Sequence, residues 1–138
     1  HKTFKYHGAE HKTIACYEAE LELTVENVRK QIRFHPRCGT SFIFLVVLLS
    51  IIIGMFLPWK NLWARFGLQL LMLIPETSIG YELIKLAGRY DNIFTRIISA
   101  PGIWLQHITT CEPDDPQIEV AIAALKPCIP ENKEDDKW

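Results

Sequence analysis

The chain has 138 residues, enough for one compact domain. Its 15 basic and 16 acidic residues nearly cancel, which excludes the strongly basic footprint of a nucleic-acid partner. The hydrophobic share of 49% is ordinary, but its distribution is not, because the run from Cys38 to Trp59 holds no charged residue.

The sequence begins at His1 rather than Met, so further elements upstream are expected. Cys16, Cys38, Cys111 and Cys128 show no C-x-x-C pairing and no disulfide-scaffold density, and read as reduced cytosolic thiols.

Residues 1–37 read as a polar, helical, cytoplasmic segment. Gly8–Ala19 is expected as a short helix and Leu21–Thr24 as a break, with Thr24 an N-cap. A second helix, Val25–Phe34, would carry Val25, Val28, Ile32 and Phe34 on one side and stop before Pro36. Residues 38–89 read as a transmembrane hairpin with spans of about 41–58 and 66–85. Phe42–Leu57 is almost wholly aliphatic, and a hydrocarbon core of ~30 Å takes roughly 20 residues of helix. The run lies too far into the chain to be a signal peptide. Trp59 and Trp63, in the turn, suit a membrane–water interface.

The second span is interrupted by Pro75, Glu76, Gly80 and Glu82. A carboxylate at the centre of a span costs ~2.5–3.5 kcal/mol, so that side must face protein, water or a metal rather than lipid. Basic residues concentrate before the first span and after the second (Lys85, Arg89, Arg96), with Lys60 and Arg65 at the turn. The positive-inside rule then puts both ends of the chain in the cytoplasm.

Residues 90–127 read as interfacial and C-terminal helices. Ile93–Ile108 is expected along the membrane, broken in two by Pro101–Gly102, with core packing as the competing reading. Asp115 and Pro116 supply an N-cap and a first-turn proline for a last helix, Gln117–Leu125. Residues 128–138 read as a disordered acidic tail. The expected fold class is an all-α membrane protein: a two-helix transmembrane hairpin with short cytoplasmic helices before and after it.

His7-Gly8-Ala9-Glu10-His11 has the spacing H-x-x-E-H. On a helix these three polar residues share one face, so His7 and His11 can hold one zinc while Glu10 stands beside it as a general base. The bland alternative is a solvated face on which Glu10 pairs with Lys5 or Lys12. His35 and Cys38 precede the first span and Glu82 lies near the end of the second. In an antiparallel pair those positions meet at one depth, and imidazole, thiolate and carboxylate are the ligand types zinc uses. Each has its plain reading too: Glu82 pairing with Lys85, Cys38 as a small apolar residue, His35 as a helix cap.

The stretches Tyr6–Lys12 and His35–Phe42 resemble the bacterial YqhQ-like family, as do Tyr81–Arg89, Thr109-Thr110, Glu112-Pro113 and Gln117–Val120. The resemblance implies a multi-spanning membrane protein labelled a predicted metal-dependent enzyme. Its members are longer, with an upstream glycine-rich segment and further hydrophobic helices. The chain departs from the family pattern at Cys111, where Arg is usual, and at Glu76.

The expected function is therefore a membrane-embedded protein binding zinc or another divalent transition metal. His7, His11, His35, Cys38 and Glu82 are its candidate ligands. A metal-dependent hydrolase at the cytoplasmic face would use Glu10 as base. A scaffold with a structural metal is the alternative, and a transport component using Glu76 and Glu82 is a second. Expected partners are the lipid bilayer and an upstream segment or other membrane subunits, without nucleic acid. The expected location is the bacterial inner membrane, crossed more than once.

Overall fold

A computed structural model of the chain describes residues 1–58 and 61–132, and all regular elements among them are helical. Trp59, one of the two expected interfacial tryptophans, and residues 133–138 of the expected acidic tail lie outside the described residues. The chain divides into two compact units. One comprises His1–His35 with the chain from Trp104 onward, the other Pro36–Ile103.

In the first unit α1 (Lys2–Glu18) packs on α6 (Asp115–Leu125), with α2 (Val25–Arg29) against both. Helix α1 begins at Lys2, earlier than the expected Gly8, because nothing in Lys2–His7 breaks a helix and its first turns are tied down by α6-side groups. The Phe4 carbonyl accepts the Cys111 N–H at 2.9 Å, and Lys5 Nζ meets Asp114 at 2.6 Å. Gly8 lies so close under the Cys111 carbonyl that any side chain there would collide with backbone. The small apolar core is Ala9 and Cys16 from α1, Val28 from α2, and Ile118 and Ile122 from α6.

Helix α1 ends in a Schellman motif. The Leu21 N–H reaches the Cys16 carbonyl, the Glu20 N–H reaches that of Tyr17, and Glu20 takes the left-handed conformation at φ 55°. Thr24 is the N-cap of α2, accepting the Asn27 N–H as expected. The expected helix to Phe34 stops at Arg29 instead, and Ile32, expected on the apolar face, is exposed. The carbonyls that would have continued it are used by side chains of α1. Lys12 Nζ donates to the Arg29 carbonyl at 2.9 Å, and His11 bonds that of Arg33 at 2.7 Å.

Helix α6 starts two residues before the expected Gln117, and its cap lies one residue before the expected Asp115. Its N-cap is Asp114, whose N–H donates to the Gln117 side chain at 2.8 Å, with Pro116 in the first turn. A short 3-10 turn, Lys126–Cys128, follows.

In the second unit α3 (Gly39–Phe56) and α4 (Leu62–Arg89) form an antiparallel hairpin. Gly80 of α4 packs against Val46 and Phe42 of α3, and Ser50 pairs with Glu76 one turn further on. The carboxylate of Glu76 is wholly buried and takes hydrogen bonds from Ser50 Oγ and Gln69 Nε2, so it faces protein, one of the surroundings expected for it. Asn61 caps α4, and Arg65 covers the open end of α3 by donating to the Gly54 and Leu57 carbonyls. Pro75 does not interrupt α4. The hydroxyls of Thr77 and Ser78 bond the Leu73 and Ile74 carbonyls around it. Trp63, in the first turn of α4, is exposed. Among the described residues, one helix, α3, is long and apolar enough to cross a membrane.

Helix α5 (Ile93–Thr109) is continuous, whereas the Pro101–Gly102 pair was expected to split it. Asn92 and Thr95 exchange side-chain and backbone hydrogen bonds at its start. Gly102 serves a close approach rather than a break, since a side chain there would meet Ser41 of α3.

Candidate metal centre

At 100° per residue, His7, His11 and Glu18 fall on one stripe of α1, at the border between its buried and solvent faces. His11 is buried, His7 is half-buried and Glu10, one step toward solvent, is exposed. The two imidazoles meet edge to face with centroids 4.4 Å apart, and each offers a ligand nitrogen within 4.8 Å of the other's.

Their orientation has a simple cause. Nδ1 of His7 lies 2.9 Å from the Thr109 carbonyl and Nδ1 of His11 lies 2.7 Å from the Arg33 carbonyl. A carbonyl oxygen only accepts, so each Nδ1 carries the proton and, in the neutral ring, each Nε2 carries the lone pair. Two imidazoles one helical turn apart are thus set in the same tautomer by two backbone groups.

His35 is fixed beside them. Gln106 brackets its backbone, accepting the His35 N–H at 2.9 Å and donating to its carbonyl at 2.8 Å. Its Nε2 donates to Glu18 at 3.1 Å, and its ring centroid is 6.0 Å from that of His11. Sequence reading passed over Glu18 and Gln106. Glu18 was within reach of it, because it lies eleven residues, close to three whole turns, beyond His7 on the same stripe.

A charged cluster braces the back of the stripe. The ammonium of Lys12 is buried against Glu112 and the Arg29 carbonyl, while Arg33 Nη1 reaches the other oxygen of Glu112 at 3.3 Å. Burial works to raise the Glu112 carboxyl, but hydrogen bonds and charge from Lys12 and then Arg33 outweigh it and hold the group below the usual carboxylate range. Since Lys5 goes to Asp114 and Lys12 to Glu112, neither lysine serves the plain reading of Glu10 as a surface ion-pair partner. His107 stacks on Phe34 with ring centroids 4.4 Å apart.

Cys38 and Glu82 belong to the second unit. Cys38 is the N-cap of α3, buried, with Sγ 2.8 Å from Thr40 Oγ1. Glu82 is exposed on α4. No disulfide joins the four cysteines, and burial pushes the Cys16 thiol up.

A family model described as "Protein of unknown function (DUF1385)" matches residues 1–131. The uncharacterized protein YqhQ of Bacillus subtilis (strain 168) is 43% identical over 125 residues. That alignment covers 90% of this chain and 39% of the relative, so the chain spans well under half of the relative's length. No solved structure matches.

Proposed function

The chain belongs to the family described as protein of unknown function (DUF1385), and from that premise we propose that it is a membrane-anchored zinc-binding protein. The single observation that carries this reading is the pair of carbonyl anchors on His7 and His11. An imidazole whose other nitrogen donates to a backbone carbonyl is the arrangement that orients metal-ligating histidines and raises their basicity. Here it occurs twice within one helical turn.

In this reading His7 and His11 ligate through Nε2, and the Cys38 thiolate is the third donor. Cys38 follows His35 by three residues, which keeps it within about 10 Å of that histidine along the chain. Glu82, the carboxylate in the proposed second span, or His35 completes the set. Zinc would supply Lewis acidity and bring a bound water to a pKa of about 7. Glu10, exposed beside His7, would take the proton from that water, and the protein would act as a hydrolase at the cytoplasmic membrane face. A closed four-donor shell would make the same residues a structural metal site in a membrane scaffold.

The membrane half of the proposal places α3 and α4 across a bacterial inner membrane as a hairpin, with both ends of the chain inside. It is supported by the apolar length of α3 and by the internal satisfaction of Glu76. Glu76 lies between the two helices with its oxygens engaged by Ser50 and Gln69, which favours an anchoring role for it over a transport path.

Cobalt substitution tests the donor set. The purified protein in detergent, loaded with Co²⁺, should show tetrahedral visible bands and a sulfur-to-metal charge-transfer band, the latter lost in Cys38→Ser while the visible bands persist. Visible bands without any sulfur band in the wild type would remove Cys38 from the shell, and no bands at all would remove the site.

A further inference from the structure

Helix α5 is built inside out, and both units show it independently. In the second unit Thr95 and Gly102 are buried, while Ile93 is 80%, Phe94 64% and Ile97 67% exposed. In the first unit Gln106 and Thr110 are buried, while Trp104 is 67% and Ile108 60% exposed. By helical periodicity, residues 93, 97, 104 and 108 share one face and residues 95, 102 and 106 the opposite one. A helix on the surface of a water-soluble protein turns its apolar stripe inward. This one turns threonine, glycine and glutamine inward and isoleucine, phenylalanine and tryptophan outward.

The inward side has fixed employment. Thr95 closes the start of the helix with Asn92, Gly102 lies against Ser41, and Gln106 brackets the backbone of His35. The outward stripe has none of this, and a contiguous apolar face of that kind marks an interaction surface.

We propose that the outward face of α5 is seated in a lipid bilayer, at the boundary between headgroups and acyl chains, with the helix lying along the membrane. Three observations choose lipid over a protein partner. In the second unit α5 packs on the opening turns of α3, where Ile98 and Pro101 share a small cleft with Phe44 and Leu48. The remaining outward residues of α3, such as Ile43, Ile51 and Met55, are themselves exposed and apolar, so within the second unit Ile93, Phe94 and Ile97 share their outward apolar character with the one helix, among the described residues, apolar enough to cross a membrane. The stripe carries Trp104, with Arg96 along one border of it, and tryptophan beside a basic residue is the composition of the membrane–water interface. With Arg96, Gln106 and His107 in its 17 residues, α5 suits lying on the bilayer rather than crossing it.

The inference rests on the membrane half of the reading above and not on its metal half. It is tested with the full chain reconstituted in phosphatidylcholine–phosphatidylglycerol vesicles, using emission lost in Trp104→Phe, an exposed and conservative change, to isolate the Trp104 signal. Flotation comes first: a chain that does not float with the vesicles overturns the bilayer placement of both α3 and α5. In the floating protein, the Trp104 share should be quenched by lipids brominated near the glycerol end, much less by lipids brominated near the terminal methyl, and little by aqueous acrylamide. Free quenching by acrylamide without bromolipid quenching would put α5 in water and overturn the inference while leaving the hairpin standing. Shielding from both quenchers would overturn it in favour of a protein partner or a second copy.

Discussion

His7 and His11 take their character from what lies behind them. Each ring is held by a backbone carbonyl on Nδ1, so in the proposed metal site the coordinating nitrogen, Nε2, would be decided before any ion arrives. The brace behind them is electrostatic. Lys12 is 4% exposed and would be costly there without Glu112, which is 59% exposed. Because Glu112 titrates below its ordinary value in the folded chain, its contribution is fully present above that value, near 4.5, and is lost as pH falls through the lower folded value. Glu112→Gln should therefore lower the thermal midpoint at neutral pH, by a stability loss of about 1 kcal/mol once water screening at Glu112 is allowed for. The variant should also lose less than the wild type on acidification below that range. Parallel melting curves across pH check this, and equal acid sensitivity in the two proteins would show that the pair contributes nothing.

The elements were legible in the sequence to different depths. Thr24 as a cap, the apolar run that became α3 and the burial of Glu76 against protein all follow from local chemistry. Helix α2 was overestimated because Ile32 and Phe34 extend an apolar period, while the carbonyls of Arg29 and Arg33 go to Lys12 and His11, side chains of another helix. Helix α5 was expected to break at Pro101–Gly102, but a proline removes a single helix hydrogen bond, and Gly102 turned out to be a packing position. The Schellman turn was hidden because Glu20 occupies the left-handed position usually held by glycine. That gives a clear prediction. Glu20→Gly should relieve left-handed strain of roughly 1 kcal/mol and leave stability unchanged or raised, read as the midpoint of thermal unfolding. A clear loss would show that the Glu20 side chain itself stabilises the turn.

For the molecule as a whole, the pairing of the first helix with the last was not legible. Ala9, Cys16, Ile118 and Ile122 form one core although about a hundred residues separate them, and no local pattern announces such a partnership. The histidine motif was legible in its spacing but not in its support. Thr109 and Gln106 come from the end of α5 and Arg33 from the segment after α2, each chosen by tertiary packing. The hairpin of α3 and α4 was legible as two helices, and of the two α3 alone has the apolar length of a span. The α5 stripe belongs to the same scale, since an apolar face turned outward makes sense only beside an apolar surrounding. The proposed chemistry of the site depends on a metal held by His7 and His11. Elemental analysis of the purified full chain against His11→Ala tests that most directly. The account predicts about one zinc per wild-type chain and its loss in the variant, and it is contradicted if neither protein carries stoichiometric metal or if both carry it equally.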